Sequence, residues 1–177
     1  DPDLLKSVEV LRGAGSAIYG SGALGGAFIL ETLSGRDLTG GADGFGLRQK
    51  VGWQSNGDEW ASYTTGYAQA GAFDVLGNYI LRDVGEDFET GAGDEILATQ
   101  DEINSGMAKF GWQPGKHQRL ELTVDRFENS GENPTNANAV ATPINIVDRD
   151  TERSGARLRY RLDDPTDRWL NVDATLY

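Results

Sequence analysis

From Phe45 onward, apolar and polar residues alternate in short runs separated by turn residues, and this period of two constrains the fold more than any other feature. Successive side chains of a strand point to opposite faces, whereas a helix repeats every 3.6 residues and cannot sort such a pattern. In the first run Phe45, Leu47, Val51 and Trp53 share one face, with Arg48, Lys50 and Gln54 on the other. Asn56-Gly57-Asp58 then turns the chain. Residues 59–70 form a second strand, with Ala61, Tyr63, Thr65 and Tyr67 on one side, and Gly71 marks a tight turn. In the third, Phe73, Val75, Tyr79 and Leu81 alternate with Asp74, Asn78 and Arg82. The fourth, 105–113, sets Ala108, Phe110 and Trp112 against Met107, Lys109 and Gln113. Leu120, Leu122 and Val124 oppose Arg119, Glu121, Thr123 and Asp125 in the fifth. Ala156, Leu158, Tyr160 and Leu162 oppose Arg157, Arg159 and Arg161 in the sixth, and Leu170, Val172, Ala174 and Leu176 oppose Asn171, Asp173 and Thr175 in the seventh. The pattern predicts an all-β fold, a meander of about seven antiparallel strands.

What such a sheet packs against decides its setting. The strands are near the length of about 9–11 residues that a tilted strand needs to cross a bilayer. The connections at 70–72, 114–118 and 163–168 are short, whereas 83–104 and 128–151 are long, and beyond the first hairpin long and short fall at opposite ends. That asymmetry belongs to outer-membrane barrels. Trp53, Trp60, Trp112 and Trp169 all lie near strand ends, where interfacial belts of aromatic residues collect. A soluble sheet alternates in the same way, but it must bury its apolar face against a second layer, and no helical partner is evident. Alternation alone does not separate the two; together with the segment that precedes Phe45, described below, the expectation is a transmembrane β-barrel, apolar stripes facing lipid and the Arg157, Arg159, Arg161 ladder facing the lumen. The 24 glycines suit strands and turns rather than helices.

The remaining composition excludes several classes. With 16 basic against 28 acidic residues, a net charge of −12 argues against nucleic acid as partner. Absence of cysteine removes disulfides, zinc-thiolate sites and thiol nucleophiles. His117, the only histidine, sits in a turn and is expected to be solvated. The acidic stretch from Asp83 to Glu102 lacks the spaced calcium-loop pattern and is expected to be a solvated loop. Ser16 and Ser21 have no nucleophile context. No enzyme, metal site or cofactor is expected.

Before the alternating region lies VEVLRGAGSAIYGSGALGG, from Val8 to Gly26. Its glycines do not form a nucleotide loop. Ile18 stands where a dinucleotide motif places Gly or Ala, no Gly-Lys-Ser/Thr follows, and glycines interrupt any helix within a turn. Val8-Glu9-Val10-Leu11-Arg12-Gly13, Ser16-Ala17-Ile18-Tyr19-Gly20-Ser21 and Ala23-Leu24-Gly25-Gly26 instead resemble the end of the plug domain of TonB-dependent outer-membrane receptors, with Ala14 where that family most often has Pro. The resemblance implies that 1–35 is the C-terminal part of a plug, 36–44 a linker, and 45–177 the N-terminal strands of an incomplete barrel. The absence of an initial Met and the stop within an alternating run agree with a fragment. It further implies Gram-negative outer-membrane localisation, a TonB energy-coupling complex as partner, outer-membrane lipid as surroundings, and import of an iron-containing ligand. The run from Gly22 to Phe28 with Glu31-Thr32 and Asp37-Leu38 looks most like the heme and hemoglobin receptor branch. Siderophore or cobalamin-type receptors, and a passive porin or adhesin-type barrel, are the alternatives. Glu9 and Arg12, by the same resemblance, are the expected plug–barrel contacts. The residues that bind substrate are unknown from the sequence.

Overall fold

A computed structural model describes residues 2–13, 26–136, 138, 140–166 and 170–177. The described part of the plug-like motif is therefore Val8–Gly13 and Gly26. Residues 14–25, most of the motif, and Trp169 lie outside the described residues.

Two strands open the chain, β1 (Leu5–Arg12) and β2 (Gly26–Thr32), paired antiparallel with Val8 opposite Leu30 and Val10 opposite Phe28. A one-turn helix, α1 (Gly35–Thr39), follows. It lies inside the segment expected to be a linker, and its start is set by chemistry the periodicity does not register. Ser34 caps it, its hydroxyl accepting from Asp37 N while the Asp37 carboxylate accepts from Ser34 N, a reciprocal box that closes two free backbone donors. Gly40 ends it in the left-handed conformation.

The remainder is one seven-stranded antiparallel sheet in chain order: β3 (Gly44–Gln54), β4 (Glu59–Ala70), β5 (Phe73–Val84), β8 (Asp101–Gly115), β9 (Gln118–Pro134), β10 (Ile146–Asp163) and β11 (Asn171–Leu176). A two-residue hairpin, β6 (Phe88–Glu89) with β7 (Glu95–Ile96), sits in the connection between β5 and β8. This is the expected meander, each strand paired with its sequence neighbour. Its boundaries differ from the expectation. The long connections shrink to 85–100 and 135–145, because β8, β9 and β10 continue well past their apolar stretches. Pairing there runs from Glu128 opposite Glu152 to Pro134 opposite Ile146, with polar residues on both faces. Hydrogen bonding sustains this part of the hairpin without any apolar alternation, so periodicity stops where lipid stops and the ladder does not.

Register assigns the two faces. Phe45, Leu47, Val51 and Trp53 are 90%, 75%, 60% and 67% exposed, on a face that continues through Phe73, Val75, Tyr79, Phe110, Trp112, Leu122, Val124 and Leu158. On the other face the buried residues are largely polar: Thr65, Gln69, Asp74, Asn78, Lys109, Glu121 and Thr123. The arrangement is inside-out relative to a soluble sheet and matches a wall with lipid outside and a polar lumen. The row expected to share one side of β4, Ala61, Tyr63, Thr65 and Tyr67, does so, and it faces the lumen. In β4 it is Ala61, Thr65 and Gln69 that turn inward and bury, and Tyr63 and Tyr67 go with them. Trp53 pairs with Trp60, which places the even-numbered β4 residues on the lipid side. Gln49, which shares the lipid side, is satisfied locally: its amide donates to the Ser62 hydroxyl at 2.8 Å and accepts from the Thr64 hydroxyl at 2.6 Å.

Outward residues from Phe73 to Leu81 cover about 26 Å of strand at about 3.3 Å per residue, the order of the ~25 Å apolar band of outer-membrane barrels before strand tilt. Trp112 stacks on Phe73 at one margin, with centroids 6.1 Å apart, and Trp53 and Trp60 mark the other. At that second margin Trp53 Nε1 donates to Asp58 at 2.9 Å. Among the described residues no helix is long and apolar enough to cross a membrane, which says nothing of strands. Val124 sits mid-band, opposite Ala108 and Ala156. Val124→Arg in the full-length protein should cost about 2–4 kcal/mol of unfolding free energy in lipid vesicles, measured by denaturant titration. A loss no larger than that of Val124→Ala would contradict a lipid-facing assignment.

Candidate functional site

The functional geometry lies in the seam where Asp3, Leu4 and residues 31–39 rest on the inner face of the sheet. Leu4, 6% exposed, packs beside Tyr63, Thr65 and Asn78, and Leu76 and Ile80 are the buried apolar residues of the adjoining β5. Asp3 receives Lys50 Nζ at 2.9 Å, and its carbonyl accepts from Arg48 at 3.2 Å. The bond from Lys50 holds the Asp3 carboxyl below its ordinary value. Thr39 donates to Gln69 at 2.9 Å, and Gly35 lies so close to the carbonyls of Val75 and Ala68 that a β-carbon would overlap both. Asp37 is also tied to β1 through Lys6 at 3.0 Å. Burial would raise its carboxyl, but the Ser34 hydroxyl and Lys6 outweigh it and hold the value below normal.

At the centre of the seam is a network of buried charges. Lys109, its side chain 1% exposed, donates to the Thr32 carbonyl at 2.8 Å and pairs with Glu121 at 3.3 Å. Arg119 spans Glu121 at 3.2 Å and Asp74, the latter through two parallel bonds of 2.8 and 3.1 Å. Asp74 in turn accepts from Arg36 N at 3.3 Å. Asp74, Gly111 and Glu121 form one cross-strand row, and a β-carbon on Gly111 would collide with the Asp74 carboxylate and the Arg119 guanidinium. The glycine is what lets Arg119 reach across β8. A second tie runs from Arg161 to Glu31 at 3.5 Å. A buried ammonium or carboxylate is tolerated only when paired and hydrogen-bonded, and these groups meet that condition together.

The residues singled out from sequence fall unevenly on this site. Arg161 of the ladder joins it. Glu9 and Arg12 lie on β1, opposite Ile29 and Gly26, with both side chains exposed, and among the described residues neither makes an ion pair. His117 lies in the turn between β8 and β9, where its carbonyl accepts from Asp163 N. Ser16 and Ser21 lie outside the described residues. The acidic residues between Asp83 and Glu102 spread along β5, β8 and the small hairpin, and among the described residues no cluster of carboxylates or histidine is arranged to hold a metal ion. Asp74, Lys109, Arg119 and Glu121 were assigned to the polar face but not recognised as a group. The available signal was Gly111, a glycine inside an alternating strand flanked by inward charges.

Comparison with known proteins bears on this geometry. Residues 1–27 match the family model described as "TonB-dependent Receptor Plug Domain". The whole chain is 29% identical over 180 residues to a hemin receptor of Yersinia enterocolitica, of which it spans 26%. It is 28% identical over 170 residues to the heme transporter BhuA of Brucella ovis, covering 96% of this chain and 25% of that protein. The solved FrpB iron transporter of Neisseria meningitidis superposes with a TM-score of 0.81 at 28% identity, over 99% of this chain and 29% of that one. The chain is thus similar to TonB-dependent receptors, its first 27 residues matching their plug domain. It spans about a quarter of the length of the curated relatives it matches. By this likeness the inside-out sheet is the wall of an outer-membrane barrel, and the seam is where β1, β2 and α1 meet it.

Removing Lys109 leaves Glu121 buried with one partner fewer and frees the Thr32 carbonyl. Breaking a buried pair from one side costs about 3–5 kcal/mol. Lys109→Met in the purified full-length receptor should therefore raise amide exchange across 31–39 by at least tenfold, while the β9–β10 ladder keeps its protection. Unchanged exchange across 31–39 would refute the clamp.

Proposed function

We propose that the protein imports an iron compound across the outer membrane, heme or heme taken from hemoglobin, with uptake powered through a TonB energy-coupling complex. The observation that carries the reading is similarity along the whole chain to a hemin receptor and a heme transporter, joined to a wall whose polar face holds a plug-like segment. In this reading residues 1–35 end the plug, 36–44 lead out of it, and 45–177 begin the barrel. The 85–100 and 135–145 connections face outside, and the short turns, including that of His117, face the periplasm. Glu9 and Arg12, exposed on β1, are proposed to meet parts of the plug and wall beyond this chain. The protein moves its cargo without altering it: the described residues offer a clamp and a polar wall, and the acid, base and nucleophile placements of a reaction are not the seam's chemistry.

A second reading rests on the solved neighbour, an iron transporter rather than a heme transporter by its description. In that case another ferric complex is the cargo. Growth separates the two. A heme-requiring host expressing the full-length receptor should grow on heme or hemoglobin as sole iron source only when both receptor and coupling complex are present. Growth independent of either would contradict heme import, and rescue only by a ferric siderophore would favour the second reading.

A further inference from the structure

From Arg153 to Arg161 four arginines occupy the inward register of β10, and they are not equivalent. Arg153 faces Asp125 at 3.7 Å, Arg159 pairs with Asp173, and Arg161 pairs with Glu31. Arg157, half-buried between them, has no carboxylate and no hydrogen-bond acceptor among the described residues. It stands directly across from Thr123, which stands directly across from Lys109. Thr123 is 6% exposed, yet its hydroxyl makes no hydrogen bond to any described protein atom, and the Thr32 hydroxyl on the facing β2 strand is in the same condition. All three residues line one cleft of about 400 Å³ between the plug-derived strand and the wall.

These observations belong together. A hydroxyl buried without a partner is unfavourable, and a valine would fill the Thr123 position without that cost. An arginine held in a row of paired arginines, but left unpaired, has a free planar fork of donors. Lys109 is neutralised by Glu121, so the cleft carries one uncompensated positive charge flanked by neutral hydroxyls. That set suits a monoanion with two coplanar oxygens, a carboxylate, better than a phosphate whose second charge would go unmatched.

We propose that Arg157, with the hydroxyls of Thr123 and Thr32, is a receiving site for a carboxylate of the transported compound along the plug–wall cleft. The proposal rests on the heme reading above, since heme carries two propionate carboxylates. Arg157 and Thr123 are then specificity-determining residues of passage, distinct from whatever captures the ligand at the cell surface.

The test compares uptake of heme with uptake of its dimethyl ester, in which both carboxylates are masked, by cells expressing the full-length receptor. Arg157→Gln should lower heme uptake about fivefold or more with surface binding unchanged, and should leave ester uptake within twofold of wild type. Thr123→Val, which removes no protein hydrogen bond and so should fold normally, should lower heme uptake two- to threefold with the same selectivity. Arg157→Lys should restore part of the loss. Equal losses for heme and ester would overturn the proposal, assigning Arg157 to a carboxylate of the protein itself, and so would wild-type uptake in both variants. Wild-type cells that import neither compound would refute the heme reading and this proposal with it, whereas heme import untouched by the variants would refute this proposal alone.

Discussion

A buried ammonium with nowhere else to go organises the inner side of this protein. Lys109 lies under the plug-derived segment with its side chain 1% exposed, and its charge must be met by Glu121 and by the Thr32 carbonyl. Glu121 in turn fixes Arg119, Arg119 fixes Asp74, and Asp74 accepts from a backbone donor in the first turn of α1, Arg36 N. The chain from Thr32 to Thr39 is thereby tied at both ends to three neighbouring strands. Replacing the whole network with apolar residues could be neutral for stability, but removing one member could not be. What the network contributes is a fixed position for the chain where it passes from β2 through α1 into the wall.

The outer side follows from the opposite requirement. Lipid offers no hydrogen bonds, so each backbone group of the wall must be paired by a neighbouring strand, and outward side chains must be apolar or locally satisfied. The continuous registers from β3 to β11 meet the first condition. Phe45, Leu47, Phe73, Phe110 and Leu122 meet the second, and the Gln49, Ser62, Thr64 group shows how a polar residue is accommodated there.

Much of the fold was legible because lipid and lumen impose a strict alternation on everything between them. Seven strands, their order and the residues that share their faces follow from patterns such as Leu120, Leu122 and Val124 set against Arg119, Glu121 and Thr123. The extensions of β9 and β10 were missed because a polar hairpin in water is held by its ladder alone, as in Glu128 opposite Glu152. The capping box at Ser34 and Asp37 was readable in principle from residue types, but its segment is rich in glycine and looked like a linker. The site was least legible. Lys109, Glu121, Arg119 and Asp74 are brought together by register across β5, β8 and β9, which no local spacing reveals, and Gly111 alone hinted at the crossing.

The central claim is that the odd-numbered residues of β5 face lipid and the even-numbered residues face a filled lumen. The chain has no cysteine, so single cysteines placed in turn from Phe73 to Leu81 can each carry one spin label in the full-length receptor in lipid vesicles. Accessibility to oxygen, which concentrates in lipid, should be high at 73, 75, 77, 79 and 81 and low at 74, 76, 78 and 80, with a polar relaxation agent failing to reach the odd set. Accessibility without a period of two, or a reversed period with 76 and 80 exposed to oxygen, would contradict the account.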